Sequence, residues 1–306
     1  MERRRGAWLE AGLWLTILLW ALNFLAVKIG VRAFPAVIFT ALRFLVAAPL
    51  LLLLAAKAGT ARVPARELLP LAGTGILGIS FYQLLFTSSV QLTDVASSAI
   101  LLTLSPVFVA LWGAITGREA LRAGNFLGVA LGVGGAVLVV LGSSSVASRS
   151  APAPLLGDAE ALLAAFAWAA YGILSMPLVQ RMPPLTVTAW QSVFGGAALL
   201  PLVPFAWRGV HLSLSALAVL YSALPVTVFG LSFWQGATAR LGPTRIMAHM
   251  SAEPMIAAVA AYFAFGAPLG IWVIGGGVLS LLGVYLARAG TIANGPRRAE
   301  QTPAGQ

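Results

Sequence analysis

The chain contains no cysteine, only two histidines and only nine acidic residues in 306 positions. Without cysteine there is no disulfide framework and no thiolate-ligated metal site. His211 and His249, with acids this sparse, give no ligand cluster for a metal, and no cofactor is expected. No G-x-x-x-x-G-K-[ST] motif occurs, so the chain cannot drive pumping with its own nucleotide hydrolysis. No nucleophile–base arrangement is recognisable, which argues against an enzyme working inside the membrane. Charged residues amount to 9% against 59% hydrophobic ones, with a mean hydropathy of +0.92. No soluble domain can hide that much apolar surface, so the composition predicts a polytopic membrane protein whose first partner is the lipid bilayer. The net charge of +10 does not point to nucleic acid, because the basic residues are scattered between apolar segments and not clustered with aromatics.

Apolar runs and breakers predict ten spans of about the 20 residues a helix needs to cross a bilayer. They fall at 9–30, 35–56, 68–90, 95–116, 123–142, 157–179, 184–206, 214–236, 243–265 and 270–288. The basic start and apolar run at the N-terminus resemble a signal peptide. The run is too long for one and no convincing cleavage site follows, so it reads as the first, uncleaved span. The polar stretch Gly142–Pro154 divides the spans five and five and reads as a flexible linker.

The two halves repeat one pattern at an offset of 148 residues. Trp20 corresponds to Trp168, Pro35 to Pro183, Arg43 to Gln191, Phe81 to Phe229, Pro106 to Pro254, Gly128 to Gly276 and Gly135 to Gly283. The fold class expected is therefore an all-α membrane protein, ten transmembrane helices arranged as two inverted five-helix repeats. The inversion follows from the odd number of spans per repeat, which makes the second copy enter the membrane upside down. The boundaries are 1–146 for the first repeat, 147–290 for the second, and a disordered cytoplasmic tail over 291–306. With the N-terminus inside, the segments between spans hold fourteen basic residues on the inner side and four on the outer (Lys28, Arg32, Arg149 and Arg208). That asymmetry predicts both termini in the cytoplasm.

The residues that break the apolar pattern are the candidates for chemistry. Thr244–Phe265 carries Glu253 almost at its centre, with Pro254 directly after, and its counterpart in the first half carries Ser105 and Pro106. A charge at that depth costs about 2.5–3.5 kcal/mol on insertion scales, and a proline inside a helix removes a backbone hydrogen bond. Glu253 reads as a proton relay or a substrate ligand, or as a neutral or ion-paired carboxyl tying helices together. His249, one turn earlier on the same helix face, is a candidate second relay member or a histidine bonded to a backbone carbonyl. Arg43, deep in the second span, must face a cavity or a partner. At similar depth it and Glu253 either pair directly, the expectation for the empty protein, or hold a zwitterion between them. Lys28, near the end of span one, reads as a snorkelling cation.

Asn23, Gln83, Trp168, Tyr171 and Gln191 are candidate cavity-lining groups, although each such residue is individually more often a packing residue. Trp168 and Tyr171 mirror Trp20 and Asn23 in the first half. Ser105, Pro106 and Pro254 are the candidate helix-break or gating positions, because interrupted helices at matching positions tend to flank a transport site. Gly124, Gly128, Gly132 and Ala136 form a stripe for close helix packing, within the repeat or in a homodimer.

Several stretches resemble the EamA-domain family of the drug/metabolite transporter superfamily. In the first half these are W-A-L-N-F-L-A-V-K-I-G (Trp20–Gly30), A-L-R-F-L (Ala41–Leu45), L-S-P-V-F-V-A-L (Leu104–Leu111) and G-R-E-A-L (Gly117–Leu121). The second half offers A-E-P-M-I-A-A (Ala252–Ala258) and a glycine-rich last span. The resemblance implies ten spans, a central cavity between the repeats and secondary transport of small metabolites such as amino acids, often as export. It implies residence in a bacterial cytoplasmic (inner) membrane. The family's acid after each proline-bearing helix is present as Glu119 but replaced by Ala267 in the second copy. An uncoupled facilitator, an uptake carrier, or a membrane sensor or scaffold are the alternatives. The partners expected are a small-molecule substrate, an amino acid or other zwitterion, and protons as the candidate coupling ion.

Overall fold

The computed structural model describes residues 2–116, 123–145, 151–207, 215–241, 250, 252–266 and 270–292. Among them the chain is helical throughout, without a strand. Seven helical rods are long and apolar enough to cross a membrane. They are α1 (Glu2–Gly30, apolar from Trp8), α2 (Ala36–Lys57), α3 (Ala65–Leu92), α4 (Val95–Gly113), α6 (Pro154–Arg181), α7 (Pro184–Ala206) and α8 (Ala216–Arg240). The remaining expected spans hold α5 (Ala123–Ser145), α9 (Glu253–Phe265) and α10 (Ile271–Ile292), whose apolar described stretches are shorter. The chain is an integral membrane protein.

Helix ends follow local chemistry. Pro35 and Pro183, counterparts in the two halves, each stand at the N-cap of a second helix, where a missing N–H costs nothing. Gly266 ends α9 with φ +63°, and its N–H returns to the Tyr262 carbonyl at 2.9 Å.

Pro106 and Pro254 do not sit inside helices, unlike Pro49, Pro177 and Pro225. Rod α4 breaks at Thr103–Leu104 and restarts at Ser105, and α9 begins at Glu253. Pro106 and Pro254 are thus second residues of their helices, in the first turn, where a backbone donor is not needed. The same placement puts the Glu253 carboxyl at a helix N-terminus, whose positive end favours an anion. This offsets part of the burial penalty that the sequence left open.

Two further features relate the halves. First, α5 and α10 cross through glycines. A Cβ on Gly135 would lie 2.5 Å from the Gly276 carbonyl oxygen, and one on Gly283 would lie 2.6 Å from that of Gly128. Under the 148-residue correspondence these two contacts are each other's counterparts. Between them the Ser280 hydroxyl donates to the Gly132 carbonyl at 3.4 Å, across a separation of 148 residues, so this contact is its own counterpart. The pairs run in opposite directions along the two helices, which are therefore antiparallel at the crossing.

Second, both third helices widen into π-helix, over Ile76–Phe81 in α3 and Ser222–Leu231 in α8. The first segment maps inside the second at the same offset. Each packs on the second helix of the other half, Ile76–Phe81 on α7 and Ser222–Leu231 on α2. Hydropathy carries no sign of this widening, which is common at functional positions.

Candidate functional site

At the centre lies a narrow cavity of about 40 Å³ lined by Trp20, Asn23, Phe24, Arg43, Tyr82, Gln83, Phe86, Trp168, Val226, Leu231 and Glu253. Both halves contribute, with Arg43 from α2 and Glu253 from the first turn of α9. Arg43 is 4% exposed. Its Nε donates to Thr227 Oγ1 at 2.8 Å and its Nη1 to Gln83 Oε1 at 2.9 Å. Those neutral acceptors hold the guanidinium without cancelling its charge.

Glu253 is 9% exposed and has no hydrogen-bond or ion-pair partner among the described residues. The direct Arg43–Glu253 pair expected for the empty protein does not form. Thr227 and Gln83 hold two of the five guanidinium N–H groups instead. The ring of Tyr82 lines the same cavity, within electrostatic range of both charges. A cation and a carboxyl thus face one small space without touching.

The walls are aromatic. Trp20 and Trp168, counterparts in the two halves, meet edge-to-face with centroids 5.8 Å apart. Trp20 also packs on Trp234 at 5.1 Å, and Trp168 on Tyr82 at 4.8 Å and on Tyr171 at 5.3 Å. The indole of Trp20 donates to the Val226 carbonyl at 3.2 Å, in the widened part of α8. On the other side of Asn23, the Ser222 hydroxyl donates to its Oδ1 at 2.6 Å.

The sequence of the chain matches the model of the EamA-like transporter family twice, over residues 8–141 and 155–289. The chain belongs to this family. A probable terminal-alkyne amino-acid exporter of Streptantibioticus cattleyicolor is 28% identical over 306 residues, covering 99% of each chain. A probable amino-acid metabolite efflux pump of Escherichia coli is 28% identical over 289 residues, covering 89% of this chain and 92% of that one. An uncharacterized transporter of Archaeoglobus fulgidus is 28% identical over 279 residues, covering 90% and 95%. A solved crystal structure superposes with a TM-score of 0.67 at 20% identity, over 94% of this chain and 99% of that one, which establishes the fold alone.

In this EamA-like protein the candidate residues do not all converge. Asn23, Arg43, Gln83, Trp168 and Glu253 share the central cavity. Tyr171 lies beyond Trp168 and lines a second cavity. Gln191, the counterpart of Arg43, lines neither. Its Oε1 accepts from Tyr171 at 2.8 Å and its Nε2 donates to Thr74 at 2.8 Å and Ser175 at 2.9 Å. That network is closed, because one donor and two acceptors surround one amide. Pro254 faces an apolar groove with Met255, Ala258 and Val273. Ser105 and Pro106 line none of the cavities described, and the Ser105 hydroxyl turns back to the Leu102 carbonyl at 3.1 Å. His249, Glu119 and Ala267 lie outside the described residues.

Lys28 does not snorkel. Its ammonium donates to the carbonyls of Val90 at 2.7 Å and Thr93 at 2.8 Å, capping the end of α3. Beside it Asp158 accepts from the Thr93 hydroxyl at 2.8 Å. Burial pushes the Asp94 carboxyl above the usual carboxylate range; Lys28 pulls it back and Asp158 adds to the rise. At the opposite end of the bundle Glu67 lies near Arg66 at 3.5 Å and Arg181 at 3.9 Å. Sequence reading missed the hydroxyls of Thr74, Ser222 and Thr227. A usable signal existed for two of them, since Thr74 and Ser222 occupy matching positions in the repeat.

Proposed function

We propose that this EamA-like protein is a secondary transporter that exports small zwitterionic metabolites, amino acids foremost, by alternating access of two inverted five-helix repeats. The observation that carries the reading is Arg43 and Glu253 facing one cavity, each buried and neither satisfied by the other. A zwitterion between them places its carboxylate on Arg43 and its ammonium on Glu253, and both charges gain charge-assisted hydrogen bonds. Trp20, Trp168 and Tyr82 offer faces to an apolar or aromatic side chain. The antiparallel, self-corresponding crossing of α5 and α10 supports inverted repeats, because a two-fold axis relating antiparallel helices runs perpendicular to them. Relatives named for amino-acid export support the substrate class and direction. The excess of basic residues on one side supports a cytoplasmic location for both termini in an inner membrane. Proton coupling is assigned to Glu253, the ionisable carboxyl of the cavity.

The test is a metabolite-panel efflux assay in cells overproducing the protein, repeated with Glu253→Gln and in proteoliposomes under an imposed pH gradient. Zwitterionic amino acids should compete better than purely anionic or cationic analogues. Glu253→Gln should abolish the preference for an α-ammonium group, a loss of about 10–150-fold in competition for one charged hydrogen bond. Indifference of the panel to Glu253→Gln would refute the zwitterion site. Wild-type transport unaffected by the gradient would leave an uncoupled facilitator.

A further inference from the structure

The second cavity, of about 230 Å³, lies between α4, α6 and α8 and is lined by Val109, Trp168, Tyr171, Gly172, Met176, Trp234 and Gln235, among others. It adjoins the first across Trp168, which lines both. It lies toward the ends of α6 and α8 that carry Arg181 and Arg240. The 148-residue correspondence relates the two spaces. Trp20, Asn23, Phe24 and Phe86 of the first map onto Trp168, Tyr171, Gly172 and Trp234 of the second. The second cavity thus repeats one aromatic side of the first, on residues of the other half.

Its chemistry differs at each position that gave the first its charge. Glu253 maps onto Ser105, whose hydroxyl is turned back on its own helix. Arg43 maps onto Gln191, held in its closed network behind Tyr171. Phe24 maps onto Gly172, which opens the space. Among the described residues no charged side chain lines the second cavity.

One polar group remains available. Gln235 is 4% exposed, and one amide N–H donates to the Tyr171 hydroxyl at 2.8 Å. Its carbonyl oxygen has no partner among the described residues. A buried amide left with an acceptor and a second N–H is costly unless a ligand or water meets it. Neighbouring Thr238 does not, since its hydroxyl donates to the Trp234 carbonyl at 2.8 Å. Indole rings and a phenol ring, an aliphatic floor and one hydrogen-bonding amide match a flat aromatic molecule with a single N–H or O–H.

We propose that this cavity is a second binding site, selective for uncharged aromatic molecules carrying one hydrogen-bonding group, such as indoles and phenols. The absence of charge sets the selectivity. An ammonium or carboxylate would be desolvated there without a counter-charge, whereas the central cavity offers both. The site needs neither Arg43 nor Glu253, so it stands or falls separately from the zwitterion reading.

The test uses the full chain in lipid nanodiscs, titrated with indole by isothermal calorimetry against empty nanodiscs. A Cβ on Gly172 meets no atom within 4 Å, so Gly172→Leu fills the cavity without a backbone clash. Saturable indole binding is expected, weakened about tenfold or more by Gly172→Leu and several-fold by Gln235→Leu. Tryptamine and indole-3-acetate should each bind about tenfold more weakly than indole. If Gly172→Leu does not fold, Met176→Trp occludes the same space. The proposal is overturned if no saturable heat exceeds that of empty nanodiscs, if both occluding variants bind like wild type, or if the charged analogues match indole.

Discussion

An alanine at Gly135 places its methyl carbon 2.5 Å from the Gly276 carbonyl oxygen, where ordinary contact begins at 3.4 Å. The Ser280 hydroxyl, nearer still, could turn away, but the Gly276 carbonyl and the Ser280 amide nitrogen, both at 2.5 Å, are backbone, so α5 and α10 must part by roughly 1 Å or bend at the crossing. Overpacking of this kind costs about 1–3 kcal/mol. The correspondence between the halves makes the prediction sharper. Gly283→Ala meets the Gly128 carbonyl at 2.6 Å, and should therefore cost as much as Gly135→Ala. Gly275→Ala, on the same helix as Gly283 but meeting nothing within 4 Å, should change stability by no more than about 0.5 kcal/mol. Reversible unfolding by sodium dodecyl sulfate in mixed micelles, followed by tryptophan fluorescence, reads all three. A large cost at Gly135 with none at Gly283 would refute the equivalence of the two contacts, and the inverted-repeat reading would lose its structural support.

Gln83→Leu should destabilise the protein by about 1.5–3 kcal/mol, the worth of a hydrogen bond to a charged group, because it strands an N–H of Arg43. Thr74→Val, which removes a neutral bond to Gln191 in the counterpart network, should cost about 0.5–1.5 kcal/mol by the same unfolding assay. Asp94→Asn tests the polar end of the bundle by pH. The folded protein holds the Asp94 proton more tightly than the unfolded chain does, so that group's stabilising contribution is full below the ordinary carboxylate value near ~4. It is lost as pH rises through the raised value, so wild type should fall behind Asp94→Asn across that window in thermal melts, with a constant gap above it. Lys28→Met, which uncaps the Val90 and Thr93 carbonyls, should cost about 1 kcal/mol, measured by the same melts.

The residues that hydropathy made visible were those whose presence in a span is itself expensive. Arg43 and Glu253 could be picked out because a charge in an apolar run needs a reason, and the structure puts both on one cavity. Their not pairing was illegible. Gln83 and Thr227 hold the guanidinium instead, from helices that only tertiary packing brings together. The prolines were legible as breaks and misjudged as interior residues, since sequence cannot say on which side of a proline the helix stops. The π-helical segments left no trace, because one extra residue in a turn changes no residue's hydropathy. Gln191 was expected to line a cavity as a polar residue within a span; its amide is instead consumed by Tyr171, Thr74 and Ser175.

The mismatch between Arg43 and Gln191 has a physical use. A site on a two-fold axis offers an asymmetric substrate two equivalent poses, and an amino acid is asymmetric in charge. In the proposed inverted-repeat arrangement the pseudo-axis passes between Trp20 and Trp168, which meet as counterparts, and Trp168 lines both cavities. Neither Gln191 nor Ser105, the counterparts of Arg43 and Glu253, lines either cavity, so the charged pair has no second copy and the degeneracy is lifted twice. The cation comes from the first half and the carboxyl from the second, so under the proposed alternating access a movement of one half against the other alters the distance between the two charges. A zwitterion that bridges them is thereby sensitive to that movement. A molecule in the second cavity, held by ring faces and Gln235 alone, is tied to the second half and to α4. Binding energy that varies with the relation between the halves can bias one arrangement over another, whereas a ligand bound equally well in both shifts nothing. The charged cavity meets that requirement by construction.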